Sequence, residues 1–188
     1  MKNPELIILA GSAGAFHLIY ELVKKLPASY TIPVVVIMHR GKIKDDNLEC
    51  LWNNVSNILV KAITDKDEIK GGVVYICPSD YHLFIEKEKV FSLDVSEPVL
   101  FCRPSIDLTI KSAAEVYKSK LLVILLSGAN QDGALGLLKA KSLGGDTIAQ
   151  DPNEAEINTM PLAAITINAV NKVLKIKEIE LLMLSFDK

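Results

Sequence analysis

The strongest constraint on the fold of this chain is a set of three uninterrupted apolar runs that each end in small or polar residues. These runs cover residues 6–10, 34–38 and 121–126. Apolar runs of this length without alternating polar residues are typical of strands buried on both faces of a parallel sheet. Segments with helical spacing lie between them, and strands that alternate with helices imply right-handed crossovers. The sequence therefore predicts an α/β fold with a doubly wound, mostly parallel sheet and helices on both faces.

The remaining segments predict the edges of this sheet. Short segments at residues 73–77, 83–86 and 90–93, separated by polar turns, indicate antiparallel hairpins at one sheet edge. Helical spacing returns at residues 106–117, a short strand is expected at 147–149, and a helix is expected to begin near Pro161. The polar stretch 41–47 predicts a loop. Residues 171–188 predict one amphipathic helix whose inward positions are Val173, Leu174, Ile179 and Leu182.

Composition limits the classes of function. With 188 residues and a hydrophobic fraction of 49%, the chain suits one domain with a large buried core. Its 21 basic and 23 acidic residues give a net charge of -2, which disfavours binding to nucleic acid or anionic membranes. No apolar run approaches the roughly 20 residues of a membrane span. Three cysteines without CxxC spacing fit neither a disulfide framework nor a zinc site, so a cytoplasmic location is expected.

Three chemically active side chains follow the apolar runs. Ser12 follows the first run, His39 the second, and Asp132 lies in a glycine-bearing turn after the third. Ligands of open α/β sheets bind beyond the carboxyl ends of the strands, so these side chains are expected at one rim. A serine needs a neighbouring imidazole to accept its proton, and that imidazole needs a carboxylate to orient it. The set therefore predicts a serine hydrolase.

Each of these residues also has a purely structural explanation. Ser12 and Asp132 each precede a predicted helix, where either side chain is a suitable N-cap. His39 is alternatively a hydrogen-bonded histidine at a strand end. The other histidines are weaker candidates, since His17 is expected on the solvent side of the first helix and His82 lies among the predicted hairpins.

Several motifs together resemble one known family. The matching segments, which agree in order and spacing between residues 6 and about 169, are Gly11-Ser12-Ala13-Gly14, His39, Cys77-Pro78-Ser79-Asp80-Tyr81-His82-Leu83, Arg103-Pro104-Ser105-Ile106-Asp107, Ser127-Gly128-Ala129-Asn130-Gln131-Asp132-Gly133, Gln150-Asp151 and Met160-Pro161. The chain resembles the catalytic domain of the CheB-type chemotaxis protein-glutamate methylesterases.

This resemblance implies a specific reaction. Ser12 would be the nucleophile, His39 the general base and Asp132 the orienting carboxylate, in agreement with the assignment from the residues. The expected substrates are glutamate γ-methyl esters on the cytoplasmic domains of chemotaxis receptors, with deamidation of receptor glutamines as a second activity. No metal or organic cofactor is implied. The main-chain N–H groups near Ala13 and Ala129 are candidates for the oxyanion hole, and Asn130 is grouped with the residues that face the substrate.

The sequence departs from the family pattern at three places. Ala15 follows Gly14 where the family has two adjacent glycines, Ala129-Asn130 replaces a methionine and a glycine, and Arg40 replaces a methionine after the histidine. A change of charge at Arg40 predicts a different receptor preference. Arg103 has two interpretations: it faces solvent and positions an acidic helix, or it forms an internal ion pair.

Domain organisation and two other functions complete the predictions. Residues 1–188 are expected to form a single catalytic domain without a receiver domain. One alternative function is a receptor-binding or scaffolding module of the same fold with little catalytic activity. Another treats residues 11–15 as a phosphate loop, with Arg40 accepting the 2′-phosphate of NADP. The glycine spacing does not complete the GxGxxG pattern, which disfavours this last possibility.

Overall fold

A computed structural model describes residues 3–40 and 48–187 of the chain. Within these residues the strands are β1 (Leu6–Gly11), β2 (Val34–Met38), β3 (Leu59–Ala62), β4 (Val73–Ile76), β5 (His82–Ile85), β6 (Phe91–Asp94), β7 (Leu121–Leu125), β8 (Asp146–Gln150) and β9 (Lys172–Leu174). The α-helices are α1 (Phe16–Lys24), α2 (Leu48–Asn53), α3 (Ile106–Tyr117), α4 (Ala134–Ser142), α5 (Thr159–Thr166) and α6 (Ile176–Leu184). A short 3₁₀ helix, Lys118–Lys120, joins α3 to β7.

Seven strands form one sheet in the order β3-β4-β2-β1-β7-β8-β9, and their pairings are all parallel. This arrangement confirms the predicted α/β fold with a mostly parallel sheet. The central strand β1 pairs with β2 on one side and with β7 on the other. The carboxyl ends of these three neighbouring strands therefore lie at one rim, as the predicted site requires.

Two apolar layers sandwich the sheet because successive side chains of a strand point to opposite faces. In β1, Ile8 and Ala10 pack with α3, α4 and α5, whereas Ile7 and Leu9 pack with α1, α2 and α6. Every residue of β1, β2 and β7 is buried, which explains their uninterrupted apolar runs. The helices that flank the carboxyl rim are thus packed against both faces of the same sheet.

The predicted hairpin region is partly wrong. Strand β4 lies inside the main sheet, parallel to both β3 and β2, whereas β5 and β6 form an antiparallel pair. That pair is a separate two-stranded sheet, and β5 packs against α3. The four residues of β4 are all buried, so its run of Val73, Val74, Tyr75 and Ile76 is the pattern of a parallel strand.

The prediction for residues 171–188 is also partly wrong. Residues Lys172–Leu174 form the edge strand β9, and the helix α6 begins only at Ile176. Val173 is exposed because it lies on an edge strand, whereas Ile179 is fully buried. Leu174 and Leu182 are partly buried against the second apolar layer. The predicted loop at 41–47 lies outside the described residues, and no described helix has the length and hydropathy to span a bilayer.

Candidate active site

The rim at the carboxyl ends of the central strands brings two predicted residues next to each other. Gly11 and Met38 are paired across β1 and β2, so Ser12 and His39 are the first residues beyond that pair. The His39 backbone N–H donates to the Gly11 carbonyl oxygen at 3.3 Å. Asp132 lies in the turn between β7 and α4, beside the end of β1. The three predicted catalytic residues thus follow three adjacent strands of the sheet.

The serine turn between β1 and α1 depends on small residues. A Cβ atom on Gly11 would lie 2.4 Å from the Ala15 Cβ atom, and Gly14 has a positive φ of 80°. The Ala15 N–H donates to the Ser12 carbonyl oxygen at 3.0 Å, which closes the turn. Helix α1 has Ala15 at its N-cap and no side-chain cap. The Ser12 hydroxyl therefore does not cap this helix. The Ser12 residue is partly exposed at the rim.

His39 and Asp132 form a direct hydrogen bond. Nε2 of His39 lies 2.9 Å from Oδ2 of Asp132, although 93 residues separate them in sequence. The His39 side chain is mostly buried, and Asp132 is fully buried. A carboxylate in this position fixes the imidazole tautomer and stabilises an imidazolium, which is the function of the acid in a serine-hydrolase triad. The hydrogen bond identifies Nδ1 as the nitrogen that is left to accept a proton.

The Asp132 carboxylate accepts four further hydrogen bonds. Its donors are the backbone N–H groups of Ile106, Asp107 and Gly133, at 2.7, 2.9 and 3.0 Å, and the Ser105 hydroxyl at 3.1 Å. Burial raises the pKa of Asp132, but the hydrogen bonds from His39, Asp107 and Ile106 outweigh burial and lower that pKa below its usual value. The carboxylate is therefore ionised at neutral pH.

Ser12 and His39 are adjacent, but the structure shows no hydrogen bond between their side chains. Within the described residues the Ser12 hydroxyl has no hydrogen-bond partner. Nδ1 of His39 instead lies 3.5 Å from the Cys102 sulfur. Hydrogen bonds between a nucleophile and its base are often long in unliganded sites. The structure therefore shows a hydrogen bond between His39 and Asp132 and none between His39 and the Ser12 hydroxyl.

The candidate oxyanion-hole donors are located at the same rim. Ala13 and Ala129 are exposed, and among the described residues neither of their N–H groups donates a hydrogen bond. The Asn130 side chain has structural partners, because its Oδ1 accepts from the Asp132 N–H at 3.1 Å and its Nδ2 donates to the Cys102 sulfur at 3.3 Å. Unpaired N–H groups beside a nucleophile are suited to a developing oxyanion.

Arg103 adopts the second of its two predicted arrangements. Its guanidinium contacts Asp80 Oδ1 at 2.6 and 2.9 Å and donates to the carbonyl oxygens of Val95 and Ser96. This internal ion pair holds the side chain in the turn and supports the second interpretation. Arg103 still lines a cavity of about 340 Å³, together with His39, Cys102 and Phe101.

Three further residues, Ser127, Ser105 and His82, support the site through hydrogen bonds. The Ser127 hydroxyl donates to the Ala13 carbonyl oxygen at 2.8 Å and accepts from the Ile157 N–H at 2.9 Å, so it ties the serine turn to the loop after β8. The Ser105 N–H donates to Nδ1 of the buried His82, whose Nε2 donates to the Glu97 carbonyl oxygen. Ser105 in turn donates to Asp132. In the sequence, the signal for this function of Ser105 is its place in the Arg103-Pro104-Ser105 motif.

The described residues contain no group of three or more histidine, cysteine, aspartate or glutamate side chains placed to bind a metal ion. The Arg40 guanidinium donates to the Cys77 carbonyl oxygen at 2.8 Å, so it participates in the local structure after β2. The chemistry that this rim supports is general-base activation of a hydroxyl by His39 and Asp132.

Comparison with proteins of known families gives one consistent result. The family model described as CheB methylesterase matches residues 7–183. A protein of Leptospira interrogans is 41% identical over 186 residues, which cover 99% of this chain and 96% of that protein. A protein of Thermotoga maritima named protein-glutamate methylesterase/protein-glutamine glutaminase is 32% identical over 164 residues, 86% of this chain and 48% of that protein.

Comparison of structures agrees with comparison of sequences. The crystal structure of the Thermotoga maritima CheB methylesterase catalytic domain superposes with a TM-score of 0.90 at 31% identity. The match covers 98% of this chain and 99% of that domain. The chain thus corresponds to about half of the full-length Thermotoga protein and to nearly all of its catalytic domain. From the family match, the relatives and the shared fold, we conclude that this chain belongs to the CheB methylesterase family.

Proposed function

We propose that this chain is a serine hydrolase that removes the methyl group from glutamate γ-methyl esters on chemotaxis receptors and deamidates receptor glutamines. The observation that carries the proposal is the 2.9 Å hydrogen bond between His39 and Asp132. His39 is the first residue after β2, and Ser12 is the first residue after the paired strand β1. Membership of the CheB methylesterase family supports the choice of substrate. The proposed partner is the cytoplasmic domain of a methylated receptor, which places the protein in the cytoplasm.

Each group has one function in the proposed reaction. Nε2 of His39 donates to the ionised Asp132, so Nδ1 takes the proton of the Ser12 hydroxyl as its oxygen attacks the ester carbonyl carbon. The N–H groups of Ala13 and Ala129 stabilise the negative oxygen of the tetrahedral intermediate. The C–O bond to the methoxy group breaks, and that group leaves as methanol with the proton from His39. Water then hydrolyses the acyl-serine by the same proton route, releasing the glutamate carboxyl and restoring Ser12.

The test is methanol release from a methylated receptor fragment by the wild-type chain and by Ser12→Ala. Triad members act as a unit, so we expect the variant to lose activity by a factor on the order of 10⁴ or more. Ser142→Ala is the matched control, because Ser142 lies on α4 and, among the described residues, its hydroxyl donates only to the Lys139 carbonyl oxygen. This control should release methanol at the wild-type rate.

Two outcomes would contradict the proposal. Wild-type activity in Ser12→Ala would exclude Ser12 as the nucleophile. Receptor binding without methanol release by the wild-type chain would favour the alternative of a binding or scaffolding module. The structure gives a reason to test this alternative, because it shows no hydrogen bond between the side chains of Ser12 and His39.

A further inference from the structure

The proton-accepting nitrogen of His39 already has a partner. The Cys102 sulfur lies 3.5 Å from Nδ1 of His39, and Nδ2 of Asn130 donates to the same sulfur at 3.3 Å. Cys102 comes from the turn before α3, whereas Asn130 comes from the turn between β7 and α4. The imidazole therefore lies between Asp132 on one side and a thiol on the other.

The protonation states determine the direction of the hydrogen bond to the thiol. Because ionised Asp132 accepts from Nε2, that nitrogen carries the proton in the neutral imidazole, and Nδ1 is an acceptor. Burial, followed by the nearby Asp132 charge, raises the pKa of the Cys102 thiol above its usual value. The thiol is therefore protonated at neutral pH, and its S–H group donates to Nδ1.

The backbone around Cys102 holds the thiol in this position. Val99 and Cys102 form an antiparallel bridge in which each N–H donates to the carbonyl oxygen of the other, at 3.1 and 2.9 Å. The next residue, Arg103, is anchored by its ion pair with Asp80 and by two carbonyl oxygens. Because the backbone is hydrogen-bonded on both sides, rotation of the Cys102 side chain is the simplest way for the thiol to leave Nδ1 of His39.

We propose that Cys102 is a positioning residue that occupies the accepting nitrogen of His39 in the resting site and competes with Ser12 for it. This inference rests on the proposed function, because it concerns the base that activates Ser12. The Ser12 hydroxyl can donate a hydrogen bond to Nδ1 of His39 only after the Cys102 thiol has released that nitrogen. A thiol is a weak donor, so the competition slows the activation of Ser12 without abolishing it.

The experiment measures how fast Ser12 reacts with a fluorophosphonate probe. The compared chains are the wild type, Cys102→Ala and Cys102→Ser. Removal of one weak hydrogen bond is expected to raise the second-order labelling rate about three- to tenfold in Cys102→Ala. Cys102→Ser restores a hydroxyl donor and is expected to return the rate toward that of the wild type. With p-nitrophenyl acetate as substrate, kcat should rise in Cys102→Ala while KM stays unchanged.

Two further variants make the test specific. Cys102→Val cannot donate and retains most of the side-chain volume, so it should behave like Cys102→Ala even if the alanine variant folds poorly. Cys50→Ala removes an exposed cysteine on α2 and should label like the wild type. Equal or slower labelling of Ser12 in both Cys102→Ala and Cys102→Val would overturn this inference alone. Failure of the folded wild-type chain to label at Ser12 would overturn the proposed function and this inference with it.

Discussion

The Asp132 carboxylate serves the site and the fold together. Helix α3 begins after Ser105, which makes no side-chain cap, so the N–H groups of Ile106 and Asp107 need an acceptor from elsewhere. Asp132 supplies it from the turn before α4, while it also accepts from His39. A negative charge at this end of α3 is favoured by the helix dipole. The sequence-based alternative, in which Asp132 caps the helix that follows it, is not what the structure shows, since α4 has Gly133 at its N-cap and no side-chain cap.

Substitution Asp132→Asn is expected to impair both functions of the carboxylate. Donors approach both carboxylate oxygens, so the amide NH₂ of asparagine must face a donor inside a fully buried site. We expect turnover to fall by roughly 10³–10⁴-fold, as for loss of the triad acid. The free energy of unfolding should fall by about 2–4 kcal/mol, because a buried donor loses its acceptor.

Ester hydrolysis and urea unfolding of Asp132→Asn measure the two effects. Asp146→Asn is the control, because Asp146 is only partly buried at the start of β8. A loss of turnover without any loss of stability would show that Asp132 does not support α3.

At the scale of elements, the turn beside the site is unusual in its residues. Leu100 and Phe101 connect the bridged Val99 and Cys102, and their φ angles are +50° and +62°. Two positive φ angles in a two-residue hairpin loop are the pattern of a type I′ turn, which favours Asn-Gly. The left-handed backbone conformation costs a residue with a Cβ atom roughly 1–2 kcal/mol of conformational free energy. Phe101 is fully exposed and Leu100 is half exposed, so burial offsets little of this cost.

Replacement of this pair by Asn-Gly is expected to stabilise the protein. The double variant Leu100→Asn, Phe101→Gly relieves the left-handed strain and should raise the free energy of unfolding by about 1–2 kcal/mol. Urea unfolding at pH 7 measures the change. Val95→Asn is the control, because Val95 is an exposed apolar residue without a positive φ, and it should leave stability nearly unchanged. A double variant that is no more stable than the wild type would show that the turn is not strained.

At the scale of the whole molecule, the two apolar layers bury ionisable groups as well as aliphatic ones. Burial raises the pKa of the Cys77 thiol and of the Tyr117 hydroxyl to about 12 each, and it also raises the pKa of Tyr30. A raised pKa means that the folded state retains a proton that the unfolded chain has released. Stability from these groups is therefore complete below their unfolded pKa values, about 9 for cysteine and 10 for tyrosine, and is lost as the pH rises toward about 12.

The expected result is a steep loss of stability between pH 9 and pH 11. In this range each fully released proton steepens the fall in the free energy of unfolding by about 1.4 kcal/mol per pH unit. Cys77→Val lacks one of these protons, so its profile should be shallower by nearly that amount. Urea unfolding at several pH values measures the slopes, with Cys50→Ala as a control because Cys50 is exposed. Equal slopes for Cys77→Val and the wild type would exclude Cys77 as a source of the loss.

The parts of this protein that depend on local pattern can be predicted from its sequence. The apolar runs at β1, β2 and β7, and the small residues after β1, specify a parallel sheet with a tight serine turn. Since parallel strands end at one rim, the same pattern places Ser12, His39 and Asp132 together. Their catalytic roles stay a prediction until turnover is measured.

Contacts between distant segments could not be predicted from the sequence. The nitrogen of His39 that contacts Asp132, the thiol of Cys102 at the other nitrogen and the ion pair of Arg103 with Asp80 all join residues from separate elements. The edge position of β9 likewise depends on its pairing with β8. No local propensity encodes these contacts, because their geometry follows from side-chain packing after the sheet and both helical layers have assembled.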